Sequence, residues 1–429
     1  MPSRQQLGFG MAVALVMGNM IGSGVFLLPA SLAAFGGLSL AGWVLSAAGA
    51  TCLALVFAHL ARLIPAAGGP YAYTRMAFGD VPAFLVAWGY WISVWSTLAA
   101  LAVAGVGYLD PFIPTIVRTP ALAALLAISF VWVFIGINVS GVRRAGQVQV
   151  LTTIVKILPL ALVGIGGLFY FNPEAFAVTA TGPREVAAGI TEVTTLTLWA
   201  FLGLECATIP AGNIANPQRT IARATVVGTL LAAAIYIVST IGVMSLVPAN
   251  VLATSTAPFA DGARVLFGNA AAGLVALGAA ISCLGALNGW TLVVGQLPLA
   301  VARDGLFPSA FTRLSPSGTP VTGMVIAGTL ASLLIASNYT RGLVDLFTFI
   351  ILLATLATLI PYTFCALAAF RIGGTTLSRG MRIVAGLAFS YSLWAISGAG
   401  AETVYWGFLL LMAGLPVYVW VSRETHHER

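Results

Sequence analysis

The chain has 429 residues, of which 59% are hydrophobic and only 7% are charged. A soluble globular domain carries about 25% charged residues, so this composition excludes a water-soluble protein, and its apolar character excludes a disordered one. Since a membrane-spanning helix takes about 20 residues, the chain has apolar sequence for roughly a dozen spans. We therefore predict an all-α polytopic membrane protein.

Hydropathy and helix breakers predict twelve membrane helices, at about 8–35, 38–63, 82–108, 120–140, 146–171, 189–211, 222–246, 269–301, 320–338, 343–370, 379–398 and 403–422. The first apolar run is longer than the core of a secretory signal and has Asn19 inside it, so we predict a retained helix. No shift in composition marks a second domain. We predict a single transmembrane domain over 1–429.

Basic residues orient these helices, because Lys and Arg concentrate in cytoplasmic loops. With the N-terminus inside, the segments predicted to be cytoplasmic hold Arg4, Arg62, Arg75, Arg143, Arg144, Arg219, Arg223, Arg303, Arg313, Arg371, Arg379, Arg382, Arg423 and Arg429. The segments predicted to lie outside hold Arg118, Arg184, Arg264 and Arg341. We predict cytoplasmic termini in a bacterial-type inner membrane. The scattered basic residues form no stripe that would bind nucleic acid.

The cysteines argue against disulfides and metal. Cys52, Cys206, Cys283 and Cys365 all lie in apolar runs without a CxxC spacing. Metalloprotease, hydrolase and nucleotide-binding motifs do not occur, and too few ionisable groups lie deep in the spans for most enzymes. We predict no cofactor, no metal and no catalytic residue.

Two predicted helices look broken. The first contains three glycines and two polar residues between Gly18 and Gly24, and the sixth contains Gly203 and Glu205 within an apolar run. Glycine allows the backbone to unwind and to approach a ligand closely, and unwound backbone at membrane depth is tolerated only where it lines a cavity or is buried in protein.

Broken helices at corresponding positions are typical of transporters built from inverted repeats. We predict a first repeat at about 8–171, a second at about 189–370 and two further helices at about 379–422. The alternative for glycine-rich spans is close helix packing, which is the favoured interpretation for Gly42 and Gly49.

Several ordered motifs resemble the amino acid–polyamine–organocation transporter superfamily, and within it the basic amino acid/polyamine antiporters. They begin with Asn19-Met20-Ile21-Gly22-Ser23-Gly24-Val25-Phe26-Leu27-Leu28-Pro29-Ala30, Gly68-Gly69-Pro70-Tyr71-Ala72-Tyr73 and Thr197-Leu198-Trp199-Ala200-Phe201-Leu202-Gly203-Leu204-Glu205. Further along are Ser255-Thr256-Ala257-Pro258-Phe259, Gly289-Trp290-Thr291-Leu292 and Asp304-Gly305-Leu306-Phe307-Pro308. The resemblance covers nearly the whole chain and implies a LeuT-like fold with a 5+5 inverted repeat.

The resemblance implies a substrate site made largely of main chain. It assigns the first break to substrate binding, with Asn19, Met20, Ile21, Gly22, Ser23 and Gly24. A substrate carboxylate suits the N–H groups at Ser23 and Gly24, and an ammonium suits the carbonyls of Met20, Trp199 and Leu202.

The same resemblance implies aromatic gates. Trp199 would close over bound substrate from outside, and Trp290 would line the pocket floor. Tyr90, Glu205 and Tyr362 match a family trio that forms an outer gate. An intramembrane ionisable residue is a functional hypothesis by default, so Glu205 is also a candidate proton-linked switch; the alternative is a structural hydrogen bond to a tyrosine.

Lys156, the sole lysine, lies within the fifth predicted helix. Sodium-independent relatives in the superfamily carry a lysine here, whose ammonium stands where sodium sits in sodium-coupled ones. The resemblance implies coupling contacts from Lys156 to the carbonyl near Gly18 and the hydroxyl of Ser282. We predict sodium-independent transport.

Two positions set the expected side-chain specificity. Leu98 and Ala354 stand where the arginine antiporter has a pocket Asn and Ser, so two polar contacts for a guanidinium are missing. A site lacking those partners discriminates poorly in favour of polar side chains, which favours a neutral amino acid or simple amine.

The function predicted is a sodium-independent secondary transporter of amino acids or amines, working by exchange or proton coupling, as a monomer or homodimer. A strict arginine/agmatine or polyamine antiporter is the alternative. A membrane-embedded enzyme or scaffold subunit is the alternative from another class.

Overall fold

The computed structural model describes residues 8–64, 68–139, 156–178, 182–208, 214, 216–316 and 318–427, arranged almost entirely in helices. The first nine are α1 (Phe9–Met20), α2 (Ser23–Leu32), α3 (Leu38–Leu63), α4 (Pro70–Phe78), α5 (Asp80–Gly107), α6 (Pro114–Val117), α7 (Pro120–Val139), α8 (Lys156–Leu168) and α9 (Pro183–Leu198). The others are α10 (Pro217–Leu246), α11 (Ala249–Leu252), α12 (Pro258–Phe267), α13 (Asn269–Arg303), α14 (Val321–Ser337), α15 (Leu343–Gly373), α16 (Arg379–Ser397), α17 (Ala401–Met412) and α18 (Gly414–His427).

Eight helical stretches in the described part of the chain are long and apolar enough to cross a membrane. They are Leu38–Leu63, Asp80–Gly107, Pro120–Val139, Pro183–Thr208, Pro217–Leu246, Asn269–Arg303, Leu343–Thr376 and Ala401–Ser422. Shorter apolar helices occupy Ser23–Phe35, Lys156–Leu168 and Val321–Ser337. The chain is thus a multi-pass helical membrane protein, while the count of twelve spans and the inverted repeat stay predictions.

The lipid-facing surface supports this assignment. Leu125, Leu158 and Leu274 are 60%, 68% and 73% exposed, respectively. Leu125 lies on the long apolar helix α7, Leu274 on the long apolar helix α13 and Leu158 on the shorter apolar helix α8. Exposing such side chains to water is unfavourable in free energy. Exposing them to lipid tails is neutral, because hydrocarbon is as apolar as leucine itself.

Some elements differ from the sequence prediction. The helix α4 was not predicted, and it forms because Pro70 occupies its first position and Gly69 and Gly79, both at positive φ, flank it. The last predicted span is divided at Ala413 into α17 and α18. Segment 140–155 lies outside the described residues, and it contains Arg143, Arg144 and the start of the fifth predicted helix. Arg4 and Arg429 also lie outside the described residues.

The broken segments are surrounded by long helices. On one side α3 packs against α9, where the Ser46 hydroxyl donates to the Thr194 carbonyl at 2.8 Å. Glycines of α3 allow close approach, because a Cβ at Gly42 would clash with Val193 and one at Gly49 with the Tyr391 ring. The packing interpretation of these two glycines therefore agrees with the structure.

Candidate functional site

The first predicted span is broken between Met20 and Ser23. Helix α1 ends at Met20 and α2 begins at Ser23, with Ile21 and Gly22 between them in non-helical conformations. The first N–H groups of a helix have no acceptor within it, and Gly22, the N-cap residue, has no side chain to supply one. The positive end of α2 therefore lies at the break, available to an anionic group.

The sixth predicted span is broken just after Leu198. A 3-10 turn covers Trp199–Phe201, Leu202 is extended, and Gly203 has φ +105°. A Cβ at Gly203 would lie only 3.3 Å from the Asn19 Cβ. Glycine is required here both for the left-handed backbone and for the approach of the two broken segments.

The two breaks pack directly on each other. A Cβ at Gly24 would be 3.0 Å from the Cα of Ala200, so α2 touches the 3-10 turn. Two tyrosines of the surrounding helices bind main-chain carbonyls near this contact. Tyr236 of α10 donates to the Ala200 carbonyl at 2.9 Å, and Tyr108, directly after α5, donates to the Phe26 carbonyl at 2.6 Å.

A small cavity lies where the breaks meet. Its walls are Asn19, Met20, Gly22, Ser23, Gly24, Thr97, Leu101, Trp199, Leu202 and Trp290. Eight of these ten residues were predicted from the sequence. The structure thus brings both broken segments and Trp290 to one small cavity.

Three predicted binding residues do not line this cavity. Ile21 points its carbonyl to Lys156 instead, and Leu98 and Ala354 are fully buried but absent from the cavity wall. Thr97 and Leu101 of α5 take the place expected for Leu98.

Helix geometry explains why Thr97 and Leu101, rather than Leu98, line the cavity on α5. At about 100° per residue, Thr97 and Leu101 lie within about 20° of the Tyr90 direction, whereas Leu98 is rotated by about 80°. Thr97 and Leu101 follow Tyr90 at spacings that place all three on the same face of α5. This spacing was the sequence signal that could have identified Thr97.

The cavity offers complementary partners to a zwitterion. The Ser23 hydroxyl is buried without a hydrogen-bond partner in the described part of the chain, and it sits at the N-terminus of α2. Indole rings such as those of Trp199 and Trp290 attract cations, and so do main-chain carbonyls. The carbonyl of Met20 already accepts the Gly22 N–H at 2.9 Å, and Leu202 adds a second carbonyl to the lining. The ten lining residues include no ionisable side chain, so a charged substrate would be held mainly by backbone.

Lys156 binds the main chain of the first break through its ammonium group. Its Nζ donates to the Gly18 carbonyl at 2.7 Å and to the Ile21 carbonyl at 3.0 Å, and the side chain is fully buried. The expected contact with Ser282 is not found, because within the described residues the Ser282 hydroxyl has no hydrogen-bond partner. The ammonium instead takes a second carbonyl that α1 leaves open where it ends.

Glu205 joins three elements through hydrogen bonds. The Tyr90 hydroxyl of α5 donates to its Oε1 at 2.5 Å, and the Tyr362 hydroxyl of α15 donates to its Oε2 at 2.6 Å. All three side chains are buried. The carboxyl group therefore ties the segment after the second break to two long helices.

The direction of each helix determines where this trio lies relative to the cavity. On α5, Tyr90 lies about 10 Å from Thr97 toward the Asp80 end, at 1.5 Å rise per residue. Glu205 follows the break, on the side away from Pro183. In the predicted orientation, with the N-terminus inside, the trio lies on the cytoplasmic side of the cavity. Trp199, which packs against α2 at Gly24, lies on the opposite side.

A polar cluster covers the Asp80 end of α5 and was not predicted. Arg75 of α4 contacts Asp80 at 2.8 Å and Asp304, which follows α13, at 2.9 Å. The Tyr71 hydroxyl also donates to Asp304, at 2.8 Å. Burial and then the Asp304 carboxylate raise the pKa of Tyr71, so its phenol remains a donor at neutral pH.

These features define a membrane transporter in which two broken helices enclose a small, uncharged cavity. The chain belongs to the amino acid permease family, whose sequence model matches residues 7–416. It is a multi-pass membrane protein of the amino acid–polyamine–organocation superfamily, and it is not an enzyme.

Three curated relatives illustrate the family. The cadaverine/lysine antiporter of Escherichia coli K12 is 32% identical, over 100% of this chain and 97% of its own. A putative arginine/ornithine antiporter of Bacillus subtilis is 33% identical over the full length of both chains. The putrescine transporter PotE of Escherichia coli K12 is 30% identical, over 97% of this chain and 96% of its own. The family and these relatives support transport of amino acids or amines by exchange.

Proposed function

We propose that the chain exchanges an amino acid for an amine through the cavity between its two broken helices. The observation that carries this proposal is that the α2 N-terminus, the main chain of the second break and two indole rings line one cavity. An N-terminal helix end binds carboxylates, while carbonyls and aromatic faces bind ammonium groups. One cavity can thus hold either partner of the exchange, in turn.

The cavity favours basic or diamine substrates over the neutral ones inferred from Leu98. Leu98 is outside the cavity, so its apolar character no longer argues against a polar substrate. Thr97 lines the wall, and its hydroxyl donates to the Ser93 carbonyl at 2.8 Å, which leaves its oxygen as an acceptor. The relatives named for cadaverine, lysine, ornithine and putrescine agree with a substrate that has a second amino group.

Exchange would be independent of sodium. The Lys156 ammonium already places a positive charge on the Gly18 and Ile21 carbonyls. A sodium ion bound there would need those same oxygens and would face repulsion at short range.

Alternating access would follow from opening the cavity on one side at a time. Opening the cytoplasmic side requires Glu205 to separate from Tyr90 and Tyr362, whereas Trp199 would be the gate on the outer side. Protonation of Glu205 would remove an acceptor for the tyrosine hydroxyls, because a protonated carboxyl must itself donate. Proton binding would thus favour opening of the cytoplasmic gate.

Counterflow in proteoliposomes tests this function. Vesicles preloaded with lysine, ornithine, arginine, cadaverine, putrescine or leucine would be assayed with a labelled substrate outside, in sodium and in choline buffer. We expect exchange with basic amino acids or diamines, equal in both buffers and lost in Trp290→Leu. Exchange that vanishes in choline would overturn sodium independence, and exchange confined to leucine would overturn the substrate class.

Lys156→Met separates folding from coupling in the same assay, since methionine keeps much of the lysine volume without its charge. We expect it to lose most exchange at unchanged purification yield. Full exchange by this variant, still without sodium, would contradict the role of the ammonium.

A further inference from the structure

Three arginines border one surface cavity at the end of α3 and the start of α10. Arg62 lies in the last turn of α3, and Arg219 and Arg223 lie in the first two turns of α10. With Gln218 they line an open surface cavity of about 550 Å³, separate from the transport cavity. Three positive charges are therefore brought to one place on the surface.

No carboxylate does so within the described residues. The ion pairs found there use Arg75, Arg118, Arg264 and Arg341. The first turn of α10 contains no acidic residue, although acidic side chains are favoured at a helix N-terminus. Arg219 and Arg223 are also four residues apart, a spacing at which like charges destabilise a helix by about 0.2–0.5 kcal/mol. In the described part of the chain, the site therefore concentrates positive charge without a carboxylate paired to it.

The surface beside these arginines faces lipid. Four residues beyond Arg223 on the same side of α10, Val227 is 38% exposed, and Leu230 above it is 50% exposed. On α3, Leu63 next to Arg62 is 49% exposed. The cationic cavity thus continues directly into an apolar strip on helices that cross the membrane.

We propose that this cavity binds the phosphate of an anionic phospholipid, whose acyl chains lie along Val227 and Leu230. Guanidinium groups bind phosphate through paired N–H donors, and a basic residue near an anionic membrane surface contributes about 1 kcal/mol. A soluble phosphate compound would satisfy the arginines but would not use the apolar strip. The lipid would hold the ends of α3 and α10 together.

Lipid titration with native mass spectrometry tests the proposal. Purified, delipidated protein would be titrated with phosphatidylglycerol, with phosphatidylcholine and with inorganic phosphate. The test variant is R62Q/R219Q/R223Q. The matched control is R371Q/R379Q/R382Q, which removes three arginines around the end of α15 and the start of α16 without touching the cavity. Thermal unfolding would verify that both variants are folded.

We expect the wild type and the control to bind phosphatidylglycerol at least about tenfold more tightly than phosphatidylcholine, and the test variant to lose that preference. R62K/R219K/R223K, which keeps the charge, should retain most of it. Equal lipid preference in the test and control variants would overturn the proposal. So would competition by inorganic phosphate at equal concentration, because it would identify a soluble anion as the ligand.

Discussion

Removing one tyrosine hydroxyl from the Glu205 trio should loosen the gate by a measurable amount. Tyr90→Phe and Tyr362→Phe each delete one hydrogen bond to the carboxyl group, at 2.5 and 2.6 Å in the structure. They leave the rings in place, including the edge contact of Tyr362 with Phe57. A hydrogen bond to a charged group contributes about 1.5–3 kcal/mol. Each variant should therefore shift the equilibrium toward the open gate by about tenfold to a hundredfold.

A cysteine next to Glu205 can report this opening. Cys206 is only 3% exposed in the closed arrangement, so a polar thiol reagent reaches it only when the gate opens. The assay uses a chain that keeps Cys206 after Cys52, Cys283 and Cys365 are replaced by alanine, and it measures the rate of labelling in nanodiscs. We expect at least about tenfold faster labelling in either phenylalanine variant.

A tyrosine outside the trio provides the control for this assay. Tyr405→Phe changes a side chain that is 59% exposed on α17, and its labelling rate should equal that of the parent chain. Equal labelling rates in Tyr362→Phe and Tyr405→Phe would refute the assignment of the trio as a gate. The hydrogen bonds would then serve only to stabilise the fold.

Four further predictions follow from the site and its surroundings. Gly203→Ala should lower the melting temperature and abolish exchange, since a left-handed non-glycine residue costs about 1–3 kcal/mol and its Cβ would press on Asn19; unchanged exchange would contradict the close approach. Thr97→Val should weaken binding of diamines about twofold to tenfold and leave leucine binding unchanged, as measured by calorimetry; equal losses for both ligands would exclude Thr97 as an amine acceptor. Asp304→Asn should cost at most about 1 kcal/mol in thermal unfolding, because the pair with Arg75 is partly exposed. The Tyr71 bond to Asp304 should persist above the ordinary phenol value of 10.0, since a raised pKa keeps the donor protonated until the pH rises through it; a Tyr71 that titrates at its ordinary value would contradict this.

Sequence patterns identified the breaks because breaks depend on local chemistry. Gly18, Gly22 and Gly24 weaken helix propensity within one apolar run, and Gly203 does so in another. Both breaks lie where these glycines indicated. The helix α4 escaped prediction because its stop signals, Gly69 and Gly79, surround a segment too short and too polar for a hydropathy window.

The side-chain walls of the cavity were harder to predict because they depend on helix rotation. An alignment anchored at Tyr90 gave Leu98, and one residue of displacement turned the predicted side chain by about 100°. The side on which the gate lies depends on a different property. The resemblance supplied the trio of Tyr90, Glu205 and Tyr362, but only the direction of each helix shows on which side of the cavity they lie.

A charged substrate in this protein meets almost no charged side chain. The 7% of charged residues leave Lys156 and Glu205 deep in the spans, and neither lines the cavity. Under the proposed function, the main chain at the two breaks would supply most of the binding energy for the ammonium groups of all substrates and for the carboxylate of an amino acid. Substrate identity is left to the few side chains on the wall, above all Thr97 and Leu101. Substitutions at those two positions should change which substrate is exchanged, whereas changes at Gly24 or Gly203 should abolish exchange of every substrate.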